Sequence, residues 1–297
     1  MRSRLDRARE KDVRHSLLIS IFAISAAACS AEKPAASENI APAQPELKQL
    51  WLAEGFSAPE GSAAAPGGGY FISNVAGEGP DKDGEGWISL ISADGAMITE
   101  RFADGFNAPK GMAVLDGVLY IADIDRVRMI DAASGEDKGD IAVEGAKFLN
   151  DATVWNGAVY VSDSLTNSIL KIEDGAASVW ITDDRLGKVN GVLGAGETLY
   201  AVTMDTGSLY VVDAQGRLTE IANGMMTADG VGLVEDDGWL VSTVVGEIFY
   251  VSPEGEPTKL IDTREAGISQ NDLNVYGDIA IAPNWRPGTV TAWKINQ

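Results

Sequence analysis

Six polar residues recur at a near-constant spacing: Glu60, Lys110, Asn150, Asn190, Asp229 and Asp272, separated by 50, 40, 40, 39 and 43 positions. About ten positions after each comes a large apolar residue, in turn Tyr70, Tyr120, Tyr160, Tyr200, Trp239 and Ile281. Turn preference explains Asn and Asp at chain reversals, where left-handed backbone is common, but not Glu60 or Lys110 at the same phase. Brought together, the six would offer carboxylate and carboxamide oxygens beside one ammonium. Hard divalent ions, calcium foremost, favour such oxygen donors, whereas zinc favours nitrogen or sulfur. Three carboxylates (Glu60, Asp229, Asp272) balance Lys110 plus one divalent ion, which lowers the cost of burying the set.

Other chemistries are excluded by what is missing. The only histidine is His15, near the N-terminus, and the only cysteine is Cys29. Ser-His-Asp and Cys-His systems, HExxH zinc sites and histidine bases are therefore unavailable to the rest of the chain. The formal net charge of −21 argues against a nucleic-acid partner.

The elements that would position these residues are read from Lys147 to Asp163, KFLNDATVWNGAVYVSD. A polar pair, Asn150 and Asp151, leads into a small apolar run, a turn at Asn156 and Gly157, and a strand from Ala158 that ends at Asp163. A period of about forty residues is that of propeller blades. The pairs VLYIAD with RVRMID, AVYVSD with SILKIE, TLYAVT with SLYVVD, and WLVST with EIFYVS alternate with Gly-containing turns, and no segment holds a helical period. The expected fold is all-β: a six-bladed β-propeller of four-stranded antiparallel blades over residues 47–297. Blade one has strands near 69–73, 86–92 and 97–102. The strand at 47–53 supplies the missing outer strand of the last blade and closes the ring. Innermost strands line the channel, so the six polar residues form a ring, and the second strands bring Asn74, Asp123, Asp163, Thr203 and Thr243 towards the same rim. The acidic, glycine-rich insertion at 74–85 reads as a solvated loop. A calcium loop is conceivable there, although it lacks the terminal glutamate of an EF-hand.

The N-terminal segment carries an address. Six Lys or Arg fall within Met1 to His15, followed by thirteen apolar or small residues from Ser16 to Ala28, too few to span a bilayer. Residues 1–28 are expected to be a signal peptide. Cys29, directly after Ala26, Ala27 and Ala28, sits as the lipidated cysteine of a bacterial lipoprotein, with Ala26 where leucine is usual. Ser30 in place of aspartate fits outer-membrane sorting. Residues 29–46, rich in Ala, Pro and Glu, read as a flexible tether. The expectation is a monomer in the bacterial cell envelope, at the periplasmic face of the outer membrane, meeting the membrane only through Cys29.

APEG (Ala58 to Gly61), LND (Leu149 to Asp151), VNG (Val189 to Gly191) and ADG (Ala228 to Gly230) fall in blades one, three, four and five. In these motifs residues 47–297 resemble the senescence marker protein, gluconolactonase and luciferin-regenerating-enzyme family of six-bladed propellers. The resemblance implies one divalent cation, calcium first with zinc, manganese or magnesium as alternatives, held by Glu60, Asn190 and Asp229, with Asn150 at metal or substrate. The sugar-lactonase members carry an arginine where this sequence has Phe148, which argues against a sugar acid. The leading expectation is hydrolysis of a lactone or related ester, a small-molecule substrate contacted by Asn150, Lys110, Phe148 and Asp272. Lys110 or Asn150 steadies the oxyanion, and Asp229 is a candidate base. Lys110 could instead pair with Asp272 as a structural ion pair. A non-catalytic propeller binding a metabolite or protein is the alternative, and a strictosidine-synthase-like condensing enzyme ranks third.

Overall fold

The computed structural model describes residues 44–234 and 238–296. The expected signal segment, Cys29 and most of the tether lie outside them. The fold is a six-bladed β-propeller, each blade a four-stranded antiparallel sheet. Among the described residues the only helical elements are 3-10 turns at Asp184–Leu186 and Arg264–Ala266.

The blade carrying Asn150 shows how the sequence builds the unit. From channel to rim it runs Leu149–Trp155, Ala158–Asp163, Ser168–Glu173 and Ala176–Thr182. Its first turn has Asn156 at φ 48° and Gly157 at φ 74°. Two consecutive left-handed residues are what a two-residue hairpin needs to match strand twist. Asp116 with Gly117 and Asp174 with Gly175 repeat this geometry. In blade one the strands are Pro59–Ala64, Tyr70–Asn74, Gly86–Ile91 and Met97–Phe106. The last is four residues longer than the sequence suggested and delivers the chain to the next blade.

The ring closes as expected. Glu46–Glu54 pairs antiparallel with Thr289–Asn296, from Glu46 opposite Asn296 to Glu54 opposite Thr289. Trp51 fastens this strand to blade one, its indole N–H donating to the Ala93 carbonyl at 3.1 Å. One departure lies in blade six, where the innermost strand is broken into Ser269–Gln270 and Asn274–Tyr276, both paired with Ile279–Arg286.

The core is six wedges, one between each pair of neighbouring blades. Between the blades of Asn150 and Asn190, Trp155 and Tyr160 pack with Leu186, Leu199 and Tyr210. The recurring aromatics serve these wedges: Tyr160 stacks edge-on against Trp155 and Trp180, with ring centroids 5.3 and 5.0 Å away. Each such side chain contributes roughly 1.5–3 kcal/mol by leaving water, so blade spacing, and the channel's width with it, is set by apolar packing.

Candidate functional site

The polar residues reach the channel because the inner strands are bulged. In five blades the pairing register shifts across the polar dipeptide, between Pro59 and Ser62, Pro109 and Met112, Leu149 and Ala152, Val189 and Val192, and Ala228 and Val231. The gap at 271–273 does the same in blade six. A bulge releases residues from the ladder and re-aims their side chains.

Second-strand ends secure the entries to these bulges. Asp163 accepts the Lys147 and Phe148 N–H groups at 2.9 and 3.0 Å. Asp123 accepts those of Asn107 and Ala108, and Asn74 that of Ser57. Asn74, Asp123, Asp163, Thr203 and Thr243 are all fully or nearly fully buried. Their observed contacts are with backbone and neighbouring side chains of their own blades.

At the mouth where the bulges lie, a cavity of about 260 Å³ is lined by Glu60, Lys110, Phe148, Asn150, Asn190 and Asp229, together with Gly79, Met204, Val244, Ser269, Asn271 and Trp285. Five of the six recurring residues thus meet, and the sixth position is held by Asn271. Asp272, expected in the ring, lies one residue deeper and does not line this cavity. Asn271 stands ten positions before Ile281 and so keeps the period of the other blades. Lys110 does not pair with Asp272: among the described residues no carboxylate lies within ion-pair distance of its ammonium. The Lys110 Nζ lies 4.9 Å from the centroid of Phe148 and 6.0 Å from that of Trp285, where ring faces attract a cation.

Several oxygens here lack partners. Glu60 Oε2, Asn150 Oδ1 and Asp229 Oδ1 are buried with no hydrogen bond. Asn150 is oriented by Ser164, whose hydroxyl accepts its Nδ2–H at 3.1 Å and donates to the Val189 carbonyl at 2.7 Å. The Asn190 side chain lies beside Asp229 and favours its charged form. Among the described residues no three His, Cys, Asp or Glu side chains converge as a metal cluster; the donors available are two carboxylates and carboxamide oxygens. Backbone strain falls on the same blades. Ala58, Lys188 and Thr227, each two residues before Glu60, Asn190 and Asp229, have φ of 47°, 51° and 62°. Ala108, Phe148 and Ser269, at that phase in the other blades, are not left-handed. Such a φ is costly for β-branched Thr227, and strain of this kind gathers at functional sites.

Beneath the ring the dipeptides' second residues are Gly61, Gly111, Asp151, Gly191, Gly230 and Asp272. The aspartates fill the space that the glycines leave. A Cβ on Gly111 would stand 2.0 Å from Asp151 Oδ1, and one on Gly230 would stand 1.9 Å from Leu273 N and 2.5 Å from Asp272 Oδ1. Asp151 accepts the Ala152 and Val192 N–H groups, both at 2.7 Å, tying its blade to the next. Asp272 accepts the Leu273 N–H and the Asn274 side-chain amide at 2.8 and 2.7 Å.

Four carboxyls are therefore buried beside one lysine. Burial pushes Asp229 up to about 8, helped by the charge of Asp272 and opposed by Lys110 and the Asn190 side chain. Burial raises Asp272 to about 7 against the bonds from Leu273 and Asn274. Glu60 lies well above the usual carboxyl range through burial, with Lys110 opposing, and Asp151 is raised by burial and then by the charge of Asp272.

Class follows from architecture: a six-bladed β-propeller with its polar cavity at one channel mouth. No protein-family model matches the chain, and no curated protein sequence does. Among solved structures it is similar to a provisionally named gluconolactonase, at 18% identity and TM-score 0.63, over 86% of this chain and 93% of the other. It is also similar to virginiamycin B lyase from Staphylococcus aureus, seen as a catalytically inactive histidine-to-alanine variant with quinupristin. There the identity is 13% and the TM-score 0.60, over 84% of this chain and 99% of the other. A chain of a nidogen–laminin complex matches at 14% identity and TM-score 0.59, over 71% of this chain and 86% of its own length. At these identities the likeness shows the fold alone.

Proposed function

We propose that this protein is a divalent-metal-dependent hydrolase of a lactone or related ester, akin to the gluconolactonase family that its motifs resemble. The observation that carries the reading is the set of partnerless buried oxygens, Glu60 Oε2, Asn150 Oδ1 and Asp229 Oδ1, on one cavity. Each unpaired buried polar atom costs about 1–3 kcal/mol, and a hard cation offsets that cost by accepting the same lone pairs. Glu60, Asn190, Asp229 and Asn150 would hold it, calcium by donor type, with zinc, manganese or magnesium as alternatives. When bound, the ion supplies Lewis-acid polarisation of a carbonyl oxygen.

The side chains account for the rest. Water adds to the acyl carbon and the acyl C–O bond breaks, leaving a carboxylic acid and an alcohol. Asp229 accepts the water's proton and returns it to the departing alkoxide oxygen, and Lys110 donates a hydrogen bond to the oxygen that gains negative charge. Phe148 and Trp285 hold the Lys110 ammonium beside the cavity. The likeness to virginiamycin B lyase does not extend to chemistry, because that enzyme is inactive without one histidine and residues 44–297 of this chain have none.

The acidic chain works in the bacterial cell envelope as a monomer, tethered through residues 29–46 to lipid on Cys29. The lipoprotein-like cleavage site supports this address, and the charge of −21 supports the absence of a nucleic-acid partner. The test is metal analysis of protein purified without chelator, then a lactone and ester panel with calcium, zinc, manganese or EDTA, on wild type and Asp229→Ala. Bound divalent ion and EDTA-sensitive turnover that Asp229→Ala abolishes are expected. Background turnover by both proteins across the panel would sink the enzyme reading.

A further inference from the structure

We infer that the site takes an amphiphilic substrate, a lactone or ester bearing an apolar chain, rather than a polyhydroxylated sugar. The bond cleaved rests on the hydrolase reading above; the ligand's shape does not. The cavity lining has two unlike parts, the polar ring and four apolar side chains, Phe148, Trp285, Met204 and Val244. Sugar hydroxyls pressed against such side chains would lose hydrogen bonds to water without replacing them. The aromatic pair is firmly seated, since Phe148 and Trp285 pack on the buried cluster of Val75, Ala108 and Ile124.

The apolar surface continues outside the cavity. Among the described residues the large exposed apolar side chains fall into two sets. Leu50, Leu52, Met97, Ile98 and Val179 lie on the outermost strands, which form the propeller's side wall. The others, Leu165, Met226 and Val245, are 54, 55 and 43% exposed and belong to loops at the mouth of the site. Backbone hydrogen bonds fix their place. Thr227 N–H donates to the Met204 carbonyl at 3.0 Å, and Val244 N–H to the Thr227 carbonyl at 3.1 Å. Two lining residues thus flank Thr227, and Met226 and Val245 are their exposed chain neighbours. On another side Ser164 N–H donates to the Phe148 carbonyl at 3.0 Å, placing Leu165 just outside the aromatic pair. An apolar track therefore leads from Met204 and Val244 out over Met226 and Val245. A ligand whose polar head reached Asn150 and Asp229 would lay its chain along it.

The test uses binding and turnover separately. γ-Lactams with alkyl tails from ethyl to decyl, which resist hydrolysis, are titrated calorimetrically into the full-length protein, its Met226→Ser/Val245→Ser variant, and Ile98→Ser as a side-wall control. A polyhydroxylated lactam completes the series, and the matching lactones are assayed for hydrolysis. Affinity is expected to rise about two- to fourfold per methylene, the upper figure being the ratio for ~0.8 kcal/mol. That gradient should flatten in the double variant and persist in Ile98→Ser, with no binding of the hydroxylated compound. Affinity independent of tail length, or a gradient that the double variant keeps, overturns the inference. A gradient without turnover of any lactone leaves it standing and removes the hydrolase reading. Turnover of hydroxylated lactones with no tail gradient does the reverse.

Discussion

The two mouths of the channel are built from the same inner strands and open into cavities of nearly equal volume, about 260 and 280 Å³. At the far mouth the polar groups find partners within the fold. Ser62 Oγ meets the Tyr276 hydroxyl at 3.3 Å, Asn274 donates to Asp272 and to the Ser62 carbonyl, and Thr153 accepts the Gly194 N–H at 2.9 Å. At the near mouth three buried oxygens have none, and the strands that supply two of them, on Glu60 and Asp229, enter through strained backbone, as does that of Asn190. A propeller can evidently close its channel with every polar group satisfied. The near mouth forgoes that satisfaction, and the proposed ligand would supply it.

The sharpest way to break this contrast is to alter one residue at each end. Asp229→Ala should lower lactone turnover by about a thousandfold or more, as loss of a base and charge-stabilising group does, while Tyr276→Phe should change it less than about twofold. Equal effects in a kinetic assay would erase the distinction. Next in size is the partition between the mouths: Gly230→Ala drives a methyl into Leu273 and Asp272. It should cost about 3 kcal/mol or more in urea unfolding, at the upper end for overpacking. Lys110→Met keeps most of the stem's packing and removes the ammonium. A fall of about a hundredfold in kcat at little change in melting temperature is expected for one lost oxyanion donor.

A smaller effect is the dependence of stability on pH. Asp229 and Asp272, at about 8 and about 7, hold protons in the folded state that the unfolded chain, with carboxyls near 3.8, has released. By linkage, the stability of metal-free protein should be greatest near pH 4 and decline as pH rises to about 8. Asp131 and Asp262 are held below the usual range by neighbouring lysine, arginine and backbone groups, so they titrate below that window. Calcium should counter the decline: at a hundred times its Kd it adds about 2.7 kcal/mol, strongly at pH 8 and weakly at pH 5, where protons compete. Melting curves with and without calcium at the two pH values check this, and a pH-independent calcium effect would contradict it.

Much of the fold was legible because a blade is a local unit. Asn156–Gly157 and the apolar partner about ten residues after each polar residue report their own pairing without knowledge of distant contacts, and the strand at 47–53 could be placed because counting those local units leaves the last blade one strand short. The candidate ring was legible for the same reason, except in blade six, where broken pairing moves the polar position from Asp272 to Asn271. Counting ten back from Ile281, as in every other blade, would have found it. Trp285, Met204 and Val244 were not foreseen. Trp285 sits within a second strand, while the other two follow one, and only the packed ring turns all three inward. Nor can a sequence show that Glu60 Oε2 lacks a partner, since that is a property of everything around it.

Closure by Glu46–Glu54 also has a mechanical side. The ring is fastened by one antiparallel strand and the Trp51 indole, with no covalent bond among the described residues. A pull along that strand, applied through the chain before Glu46, loads all its pairings in shear at once. A pull away from the blade peels them singly, beginning with Glu46 and Asn296. The same clasp is therefore strong in one direction and weak in the other, and the direction in which the leading segment leaves the propeller sets how much tension the ring withstands.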